Sequence, residues 1–313
     1  MLVLLICELL VYNDYSEAIS ESILYLLTMG TIGLMIGSFD FDVNYCLKYG
    51  QILSYICFVT SLVFLWLTPH KFLMSMRFGY ALLPSVLWFL MMSLMNASKI
   101  NFVLFLAGTF TLLAWGSRGT LLVIVIFILI YLYKYHKSLF AAAAITIIPI
   151  LTVLRDYLLM FLDSIAGFTH AQKVDKLIAL LENDDVLDAS SGRDTLYEHC
   201  IDLIEQNPLG NGVGFWTKDP AMHGLFPHNV FLHIGTEFGI IGLAVISFIV
   251  LYALKKIFDF KSPLFLLLAF FFSISLGRLL VSSMYWARPE FWLFIGLFLC
   301  NPLMKKKIIR YTR

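Results

Sequence analysis

Charge is scarce in this sequence. Asp, Glu, Lys and Arg make up 14% of the 313 residues, whereas an average soluble domain has about 25%. Hydrophobic residues make up 60%, and the mean hydropathy is +0.85. The apolar residues form continuous runs of span length, without the alternation of a membrane β-barrel. The composition therefore excludes a soluble domain and predicts an all-α polytopic membrane protein, because helices satisfy every backbone group in lipid.

Paired cysteines, a strong net charge and a signal peptide are also absent from the sequence. The five cysteines form no Cys-x-x-Cys motif, so neither a disulfide framework nor a zinc site is indicated. A net charge of +1 does not indicate nucleic-acid binding. Residues 1–12 lack the basic start and the cleavage site of a signal peptide and are shorter than a full span. We expect them to be the end of a helix whose beginning precedes this chain.

The apolar windows predict about ten transmembrane helices. These lie at 1–12 (partial), 21–38, 50–67, 79–96, 100–116, 119–133, 139–154, 238–254, 264–283 and 290–304. The chain is thereby divided into three parts. N-terminal membrane helices occupy 1–154, an extracytoplasmic loop with amphipathic helices occupies 155–237, and C-terminal membrane helices with a basic cytoplasmic tail occupy 238–313.

Basic residues determine the predicted orientation. The positive-inside rule places five basic residues of the C-terminal tail in the cytoplasm: Lys305, Lys306, Lys307, Arg310 and Arg313. Counting back through the spans puts 155–237 outside. The residues predicted inside are mostly lysines, whereas arginines are enriched at the outer face and within the spans. Because the planar guanidinium fork suits phosphate, this asymmetry favours phosphate binding outside the cytoplasm.

The outer segment 155–237 holds 13 of the 21 acidic residues and five of the seven histidines. Two amphipathic helices are predicted in it, at 171–182 and 193–206. A glycine-rich turn follows at 209–214, and it either approaches a ligand closely or is simple loop punctuation. Two of the histidines that follow, His228 and His233, are five residues apart. This spacing is poor for two metal ligands on one helix, so no metal site is predicted.

Asn229, His233 and Glu237 follow one another at intervals of four residues. They therefore share one face of a helix near the outer membrane interface. Polar residues at the edge of a span face protein or a wet cavity far more often than lipid. The cluster is either a functional site or an interfacial hydrogen-bond cluster.

Three motifs occur in a fixed order along the chain. They are Gly116-Ser117-Arg118-Gly119; Ser191-Gly192-Arg193 with Asn207-Pro208-Leu209-Gly210-Asn211-Gly212-Val213-Gly214; and His228-Asn229-x-Phe231-Leu232 with Glu237-x-Gly239-x-x-Gly242. Together, and with one large outer loop, they resemble the O-antigen ligase and polymerase family of bacterial polysaccharide assembly. The resemblance covers roughly residues 100–250. Arg77-Phe78-Gly79-Tyr80 is also similar, with less weight, to the outer-face start of a span in capsule-type polymerases.

The resemblance implies a helical protein of the bacterial inner membrane with a large outer loop. It implies transfer of a glycan from undecaprenyl pyrophosphate to an acceptor hydroxyl outside the cytoplasm, with no cofactor, metal or nucleotide sugar. The expected partners are the undecaprenyl-pyrophosphate-linked oligosaccharide, an acceptor glycan and membrane lipid, and not nucleic acid. A polymerase is favoured over a ligase because of the Arg77 segment and because no lipid-A-specific feature is present.

The chemistry of this transfer assigns roles to particular residues. Negative charge grows on the leaving pyrophosphate, and arginine forks are strong donors to it. We expect Arg193 and Arg118 to supply them, unless Arg118 is a topological anchor and Arg193 an exposed first-turn residue. His228 is the predicted general base, because imidazole can accept a proton at neutral pH. The remaining predictions are that Asn229 and Glu237 contribute to substrate binding and that one of them orients His228. His233 is the alternative base, and Arg278 and Arg288 are expected to contribute further to substrate binding.

Two other classes of function stay open from the sequence. A transporter or flippase of lipid-linked glycan would favour inverted repeats and broken helices at the midplane of the membrane. The polar groups collect at the outer face instead. A membrane sensor or scaffold would use the outer loop as a binding surface.

The predicted topology is testable with reporter fusions. A reporter placed after Arg313 is expected in the cytoplasm, and one inserted at Lys218 is expected outside, because an odd number of spans separates the two positions. Alkaline phosphatase and green fluorescent protein fusions measure this. Finding both positions on the same side of the membrane would contradict the predicted number of spans.

Overall fold

The computed structural model describes residues 16–67, 76–115, 118–142, 193–222, 225–281 and 284–302. In these residues all regular structure is helical, which confirms the all-α class. Four helices are long and apolar enough to cross a membrane: Glu17–Ser38, Val43–Leu67, Arg77–Asn96 and Val230–Asp259. Shorter apolar helices lie at Lys99–Ala114, Gly119–Tyr135, Leu264–Leu279 and Pro289–Cys300. The count of about ten spans and the outer location of 155–237 stay predictions.

The helices are numbered here in chain order. They are α1 (Ser16–Tyr25), α2 (Thr31–Ser38), α3 (Val43–Leu67), α4 (Met76–Asn96), α5 (Lys99–Trp115), α6 (Arg118–Tyr135), α7 (Arg193–Gln206), α8 (Val230–Asp259), α9 (Leu264–Leu279) and α10 (Pro289–Ile295). A π-helical turn at Leu26–Gly30 joins α1 to α2, and another at Gly296–Cys300 extends α10. The partial span 1–12, most of the span 139–154, the helix 171–182 and the basic tail lie outside the described residues.

Two helices begin about two turns earlier than their apolar windows indicate. α3 starts at Val43 rather than at residue 50, and α8 starts at Val230 rather than at residue 238. Polar residues in the first turns of each helix lowered the local hydropathy without stopping the helix. In α8 these polar residues include His233 and Glu237, which become part of the site described below.

The described residues divide into two compact units. The second unit, 41–190 with 261–274, is organised around α4, on which α3 and α5 pack. Of the apolar window of α4, 67% is buried, against 11% for α3, so α4 is the core helix and α3 leaves an apolar face for lipid. Small residues permit the close packing, since Gly50 lies against the ring of Trp88 and Gly108 against Val86.

The first unit, 1–40 with 191–260 and 275–313, contains a helix pair in backbone contact. A Cβ atom on Gly33 of α2 would lie 2.5 Å from the carbonyl oxygen of Pro289, and one on Gly37 would lie 2.4 Å from that of Leu293. Glycines four residues apart on one face permit such close approach between membrane helices. The buried amide of Asn301 then donates to the carbonyl oxygen of Gly37 at 2.9 Å. This contact fixes α10 and thereby the segment that precedes it.

Candidate functional site

Helix α7 packs against α8 through the apolar face that its sequence predicts. Leu196 and Cys200 are buried together with Phe215 and Met222, from the 3₁₀ turns Phe215–Thr217 and Pro220–Met222. Burial, with a smaller effect of the Asp219 carboxylate, raises the pKa of the Cys200 thiol to about 12. Because the thiol stays protonated at neutral pH, Cys200 is a packing residue and not a nucleophile.

A histidine–aspartate pair joins α7 to these turns. The Nε2 atom of His199 lies 3.0 Å from Oδ2 of Asp219. Oδ1 of Asp219 accepts from the backbone N–H of Ala221 at 2.8 Å, so the carboxylate also shapes the second turn. The pair links α7 to the 3₁₀ turns, and together these pack against Leu232 near the start of α8. The sequence pattern did not indicate the pair because 20 residues separate its members.

Helix α8 is broken at Gly239, where φ is 64° and ψ is −158°. At this break the regular backbone hydrogen bonds of the helix are replaced by bonds to the glycine-rich turn and to Pro208, which directly precedes it. The N–H of Asn211 donates to the carbonyl oxygen of Thr236 at 2.9 Å, and that of Gly212 donates to the carbonyl oxygen of Glu237 at 3.1 Å. In return, the N–H of Ile240 donates to the carbonyl oxygen of Pro208 at 2.9 Å. Every backbone group named here therefore has a partner, as burial in a membrane protein requires.

Glycine is required on both sides of this contact. A Cβ atom on Gly239 would lie 2.0 Å from the carbonyl oxygen of Pro208, and one on Gly210 would lie 2.3 Å from that of Glu237. Both residues also have positive φ, which strains any other L residue. The close approach of the glycine-rich turn is thus to the backbone of α8, and a contact with a ligand stays a prediction.

The carboxylate of Glu237 is the centre of a buried hydrogen-bond network. Its Oε1 atom accepts from the backbone N–H of Gly214 and from Nε2 of His233, both at 3.2 Å. Its Oε2 atom accepts from the hydroxyl of Tyr285 at 2.5 Å and from the indole N–H of Trp286 at 3.2 Å. Four donors use the whole acceptor capacity of a carboxylate. The side chain is 1% exposed, so the structure shows an internal role, and the predicted role in substrate binding stays a prediction.

His233 is fully buried beside this carboxylate. Because a carboxylate oxygen can only accept, Nε2 is the nitrogen that donates to Glu237, and in this tautomer Nδ1 is the acceptor. Among the described residues Nδ1 has no hydrogen-bond partner, which for a buried acceptor costs about 1–3 kcal/mol. The ring of Phe226 lies nearly parallel to the His233 ring, with an interplanar angle of 22° and centroids 6.0 Å apart. Such an acceptor calls for an explanation, and proton transfer is one.

The structure places the other residues of the third motif at the start of α8. Oδ1 of Asn229 accepts from the backbone N–H of Phe231 at 2.9 Å and so caps the helix. His228 is half-buried, with its ring 4.7 Å from the ring of Phe226. Phe226 therefore contacts both histidines. Both side chains that were predicted to orient His228 have other partners, since Asn229 caps α8 and Glu237 accepts from four donors. The orienting role stays a prediction.

The predicted arginines are divided between the two units. Arg278 forms an ion pair with Glu290, with Nη1 and Oε1 2.9 Å apart, and Arg288 directly precedes α10. Arg193 is the first residue of α7, which confirms the predicted helix 193–206. Arg118 is the first residue of α6 and belongs to the second unit.

An apolar cavity of about 440 Å³ runs along α8 from the Glu237 network. Its walls are Leu209, Gly210, Gly212, Ile234, Glu237, Phe238, Ile241, Gly242, Val245, Ile246, Ile249, Tyr285, Phe291, Trp292 and Ile295. From Glu237 to Ile249 it follows about 18 Å of helix, at 1.5 Å per residue. One end is therefore polar, and the remainder is hydrocarbon-like.

Comparison with known proteins identifies the region that contains this site. Residues 102–247 match the family model described as O-antigen ligase. Over these residues the chain is similar to the O-antigen ligase family. No curated protein and no solved structure matches the chain. The match confirms the resemblance seen in the motifs and supports an O-antigen ligase-type membrane enzyme, whereas it does not decide between polymerase and ligase.

Two residues of the network lie beyond the family match. Tyr285 and Trp286 donate to Glu237 from the segment between α9 and α10. Their position before a predicted span is common for aromatic residues at a membrane interface, so no sequence pattern distinguished them.

The break in α8 leads to a testable prediction. Gly239→Ala is expected to destabilise the protein by at least about 1–3 kcal/mol from backbone strain alone, and the clash with Pro208 adds to this. Thermal unfolding of the purified protein in detergent measures the effect. Leu251→Ala, on the exposed face of the same helix, is the control. An unchanged unfolding temperature for Gly239→Ala would contradict the described contact.

Proposed function

We propose that this protein is a glycosyltransferase of the bacterial inner membrane, with its C-terminus in the cytoplasm. It joins a glycan carried on undecaprenyl pyrophosphate to an acceptor hydroxyl on the outer side, and it is a repeat-unit polymerase of the O-antigen or capsule type rather than a ligase. The observation that carries the proposal is the position of the family's third motif. The helix α8 that contains it also forms one wall of a long apolar cavity, with the Glu237 network at its polar end.

The cavity fits the lipid part of such a donor. A polyisoprenoid chain needs an apolar path that leads to polar groups where its pyrophosphate ends. The path along α8 supplies the apolar part, because Ile241, Val245 and Ile249 line it. The Glu237 carboxylate at the other end is buried and its acceptor sites are filled, so cationic groups have to bind the pyrophosphate. A nucleotide sugar has no comparable apolar part, so the cavity favours a lipid-linked donor.

Arginines supply the charge that the leaving pyrophosphate requires. The helix dipole disfavours a cation at a helix N-terminus, yet Arg193 begins α7 and Arg118 begins α6. An anionic substrate at these positions would offset that unfavourable term. Arg278 and Arg288 are the further candidates, and a pyrophosphate at Arg278 has to compete with its ion-pair partner Glu290.

His228 accepts the proton of the acceptor hydroxyl in this mechanism. The hydroxyl oxygen forms the new bond to the anomeric carbon while its proton moves to the imidazole. The bond between the anomeric carbon and the phosphate oxygen breaks, and its electron pair leaves with the pyrophosphate. The half-buried ring of His228 at the start of α8 suits this role. His233 is the alternative base, since its Nδ1 atom is an acceptor without a hydrogen-bond partner in the described part of the chain.

A transporter is less well supported by the same helix. Transporters of lipid-linked substrates use broken helices, and α8 is broken. The break, however, lies at the tenth residue of a 30-residue helix, not at its middle. The backbone groups it releases are also bonded to the glycine-rich turn rather than presented to a substrate.

Substitutions of Arg193 and His228 test the proposed mechanism. Arg193→Lys keeps the charge but loses the bidentate fork, so transfer is expected to fall nearly as far as in Arg193→Ala. His228→Ala is expected to retain donor binding and to lower the rate by about 10²–10⁴-fold, because it removes the base. Binding of lipid-linked donor and product chain length are measured at matched expression. His136→Ala, on an exposed surface of the second unit, is the control. Near-normal polymer from both variants would remove these residues from the mechanism.

Independence from divalent metal is a separate prediction. In the described part of the chain, no group of three or more His, Cys, Asp and Glu side chains is arranged to hold a metal ion. Arginines are available to stabilise the pyrophosphate instead. Purified protein with lipid-linked oligosaccharide is expected to elongate or transfer it in the presence of EDTA. Loss of turnover in EDTA that magnesium or manganese restores would contradict this prediction.

A further inference from the structure

Tyr285 and Trp286 connect the C-terminal part of the first unit to the motif region. Both side chains are buried, with 1% and 0% exposed. Both donate to the same oxygen of Glu237, Oε2, and they leave Oε1 to His233 and Gly214. The carboxylate thus faces the C-terminal segment with one oxygen and the motif region with the other.

The placement of Tyr285 and Trp286 does not depend on Glu237 alone. The indole N–H of Trp292, in α10, donates to the carbonyl oxygen of Trp286 at 3.2 Å, and the two indole rings are 5.8 Å apart. Helix α10 is itself held by its backbone contact with α2 at Gly33 and Gly37. The two donors therefore reach Glu237 from a rigid support.

Tyr285 also contacts the other member of the buried pair. Its ring meets the His233 ring edge-on, with centroids 5.0 Å apart and an interplanar angle of 76°. Glu237 receives the Nε2 proton of His233, which leaves Nδ1 as the acceptor. If the carboxylate rotated, both the tautomer of His233 and the N–H bond of Gly214 would change together.

We propose that Tyr285 and Trp286 are positioning residues for the transfer reaction. They hold the Glu237 carboxylate in one orientation, and Glu237 in turn fixes the Nε2–H tautomer of His233 and the end of the glycine-rich turn. This extends the functional site beyond residues 102–247, the region of the family match. The effect on rate rests on the proposed function, whereas the effect on His233 does not.

Conservative variants test the effect on rate. Tyr285→Phe removes one donor to Oε2 and Trp286→Phe the other, and each keeps an aromatic ring. Each is expected to lower kcat by about 10–100-fold, with the KM for lipid-linked donor within about twofold of wild type, because small misplacements of reacting groups have this cost. Tyr252→Phe, on the same helix as Glu237, and the exposed Trp66→Phe are the matched controls. Unchanged kcat in the double variant, or a parallel loss of kcat, donor affinity and unfolding temperature, would overturn the positioning role.

A spectroscopic measurement separates this inference from the proposed function. Nitrogen NMR of isotope-labelled histidine in detergent micelles reports which ring nitrogen of His233 carries the proton, with His233→Gln used for assignment. Wild type is expected to show the Nε2–H tautomer, and Glu237→Gln and the Tyr285→Phe, Trp286→Phe double variant are expected to lose it. If wild type transfers no glycan while these shifts occur, the proposed function fails and the positioning of His233 stands. Unchanged His233 signals in both variants would overturn the inference.

Discussion

A broken helix inside a membrane protein leaves polar backbone groups that lipid cannot satisfy, and each one costs several kcal/mol without a partner. At Gly239 the glycine-rich turn supplies the partners, with two N–H groups directed to α8 and one carbonyl oxygen accepting from it. The exchange requires two backbones to touch, which only glycine permits at residues 210 and 239. Two motifs that lie about 30 residues apart are thus one structural feature. This contact holds the first turns of α8, which carry His233 and Glu237, and His228 lies just before this helix.

The backbone contact at Gly239 also explains the position of the Glu237 carboxylate. The break directs the first turns of α8 toward the 3₁₀ turns and the segment before α10, so the side chain of Glu237 meets Gly214 on one side and Tyr285 with Trp286 on the other. The backbone bonds set the position of the helix, and the carboxylate then joins three chain segments. A network of this kind specifies one arrangement because an unpaired member would be costly in a low-dielectric interior.

The sequence predicted local features well and long-range partners poorly. The apolar windows located the apolar helices that the structure describes, and the 3.6-residue period located α7 with Leu196 and Cys200 on its buried face. The spacing of Asn229, His233 and Glu237 predicted a shared helix face, and the hydrogen bond between His233 and Glu237 follows from it. Periodicity carries no information about contacts between distant segments. Tyr285 and Trp286 were missed for this reason, as was the docking of the glycine-rich turn on α8.

The charge of the Glu237 carboxylate is stabilised without being cancelled. Its partners among the described residues are an amide, a phenol, an indole and an imidazole, whereas Glu290 is paired with the guanidinium of Arg278. Neutral donors lower the energy of a buried carboxylate but leave its negative potential in the site. That potential favours a proton on the facing nitrogen of His233 and makes the opposite nitrogen a better acceptor. A guanidinium partner would remove this effect and would withdraw from the pyrophosphate one of the groups best suited to bind it.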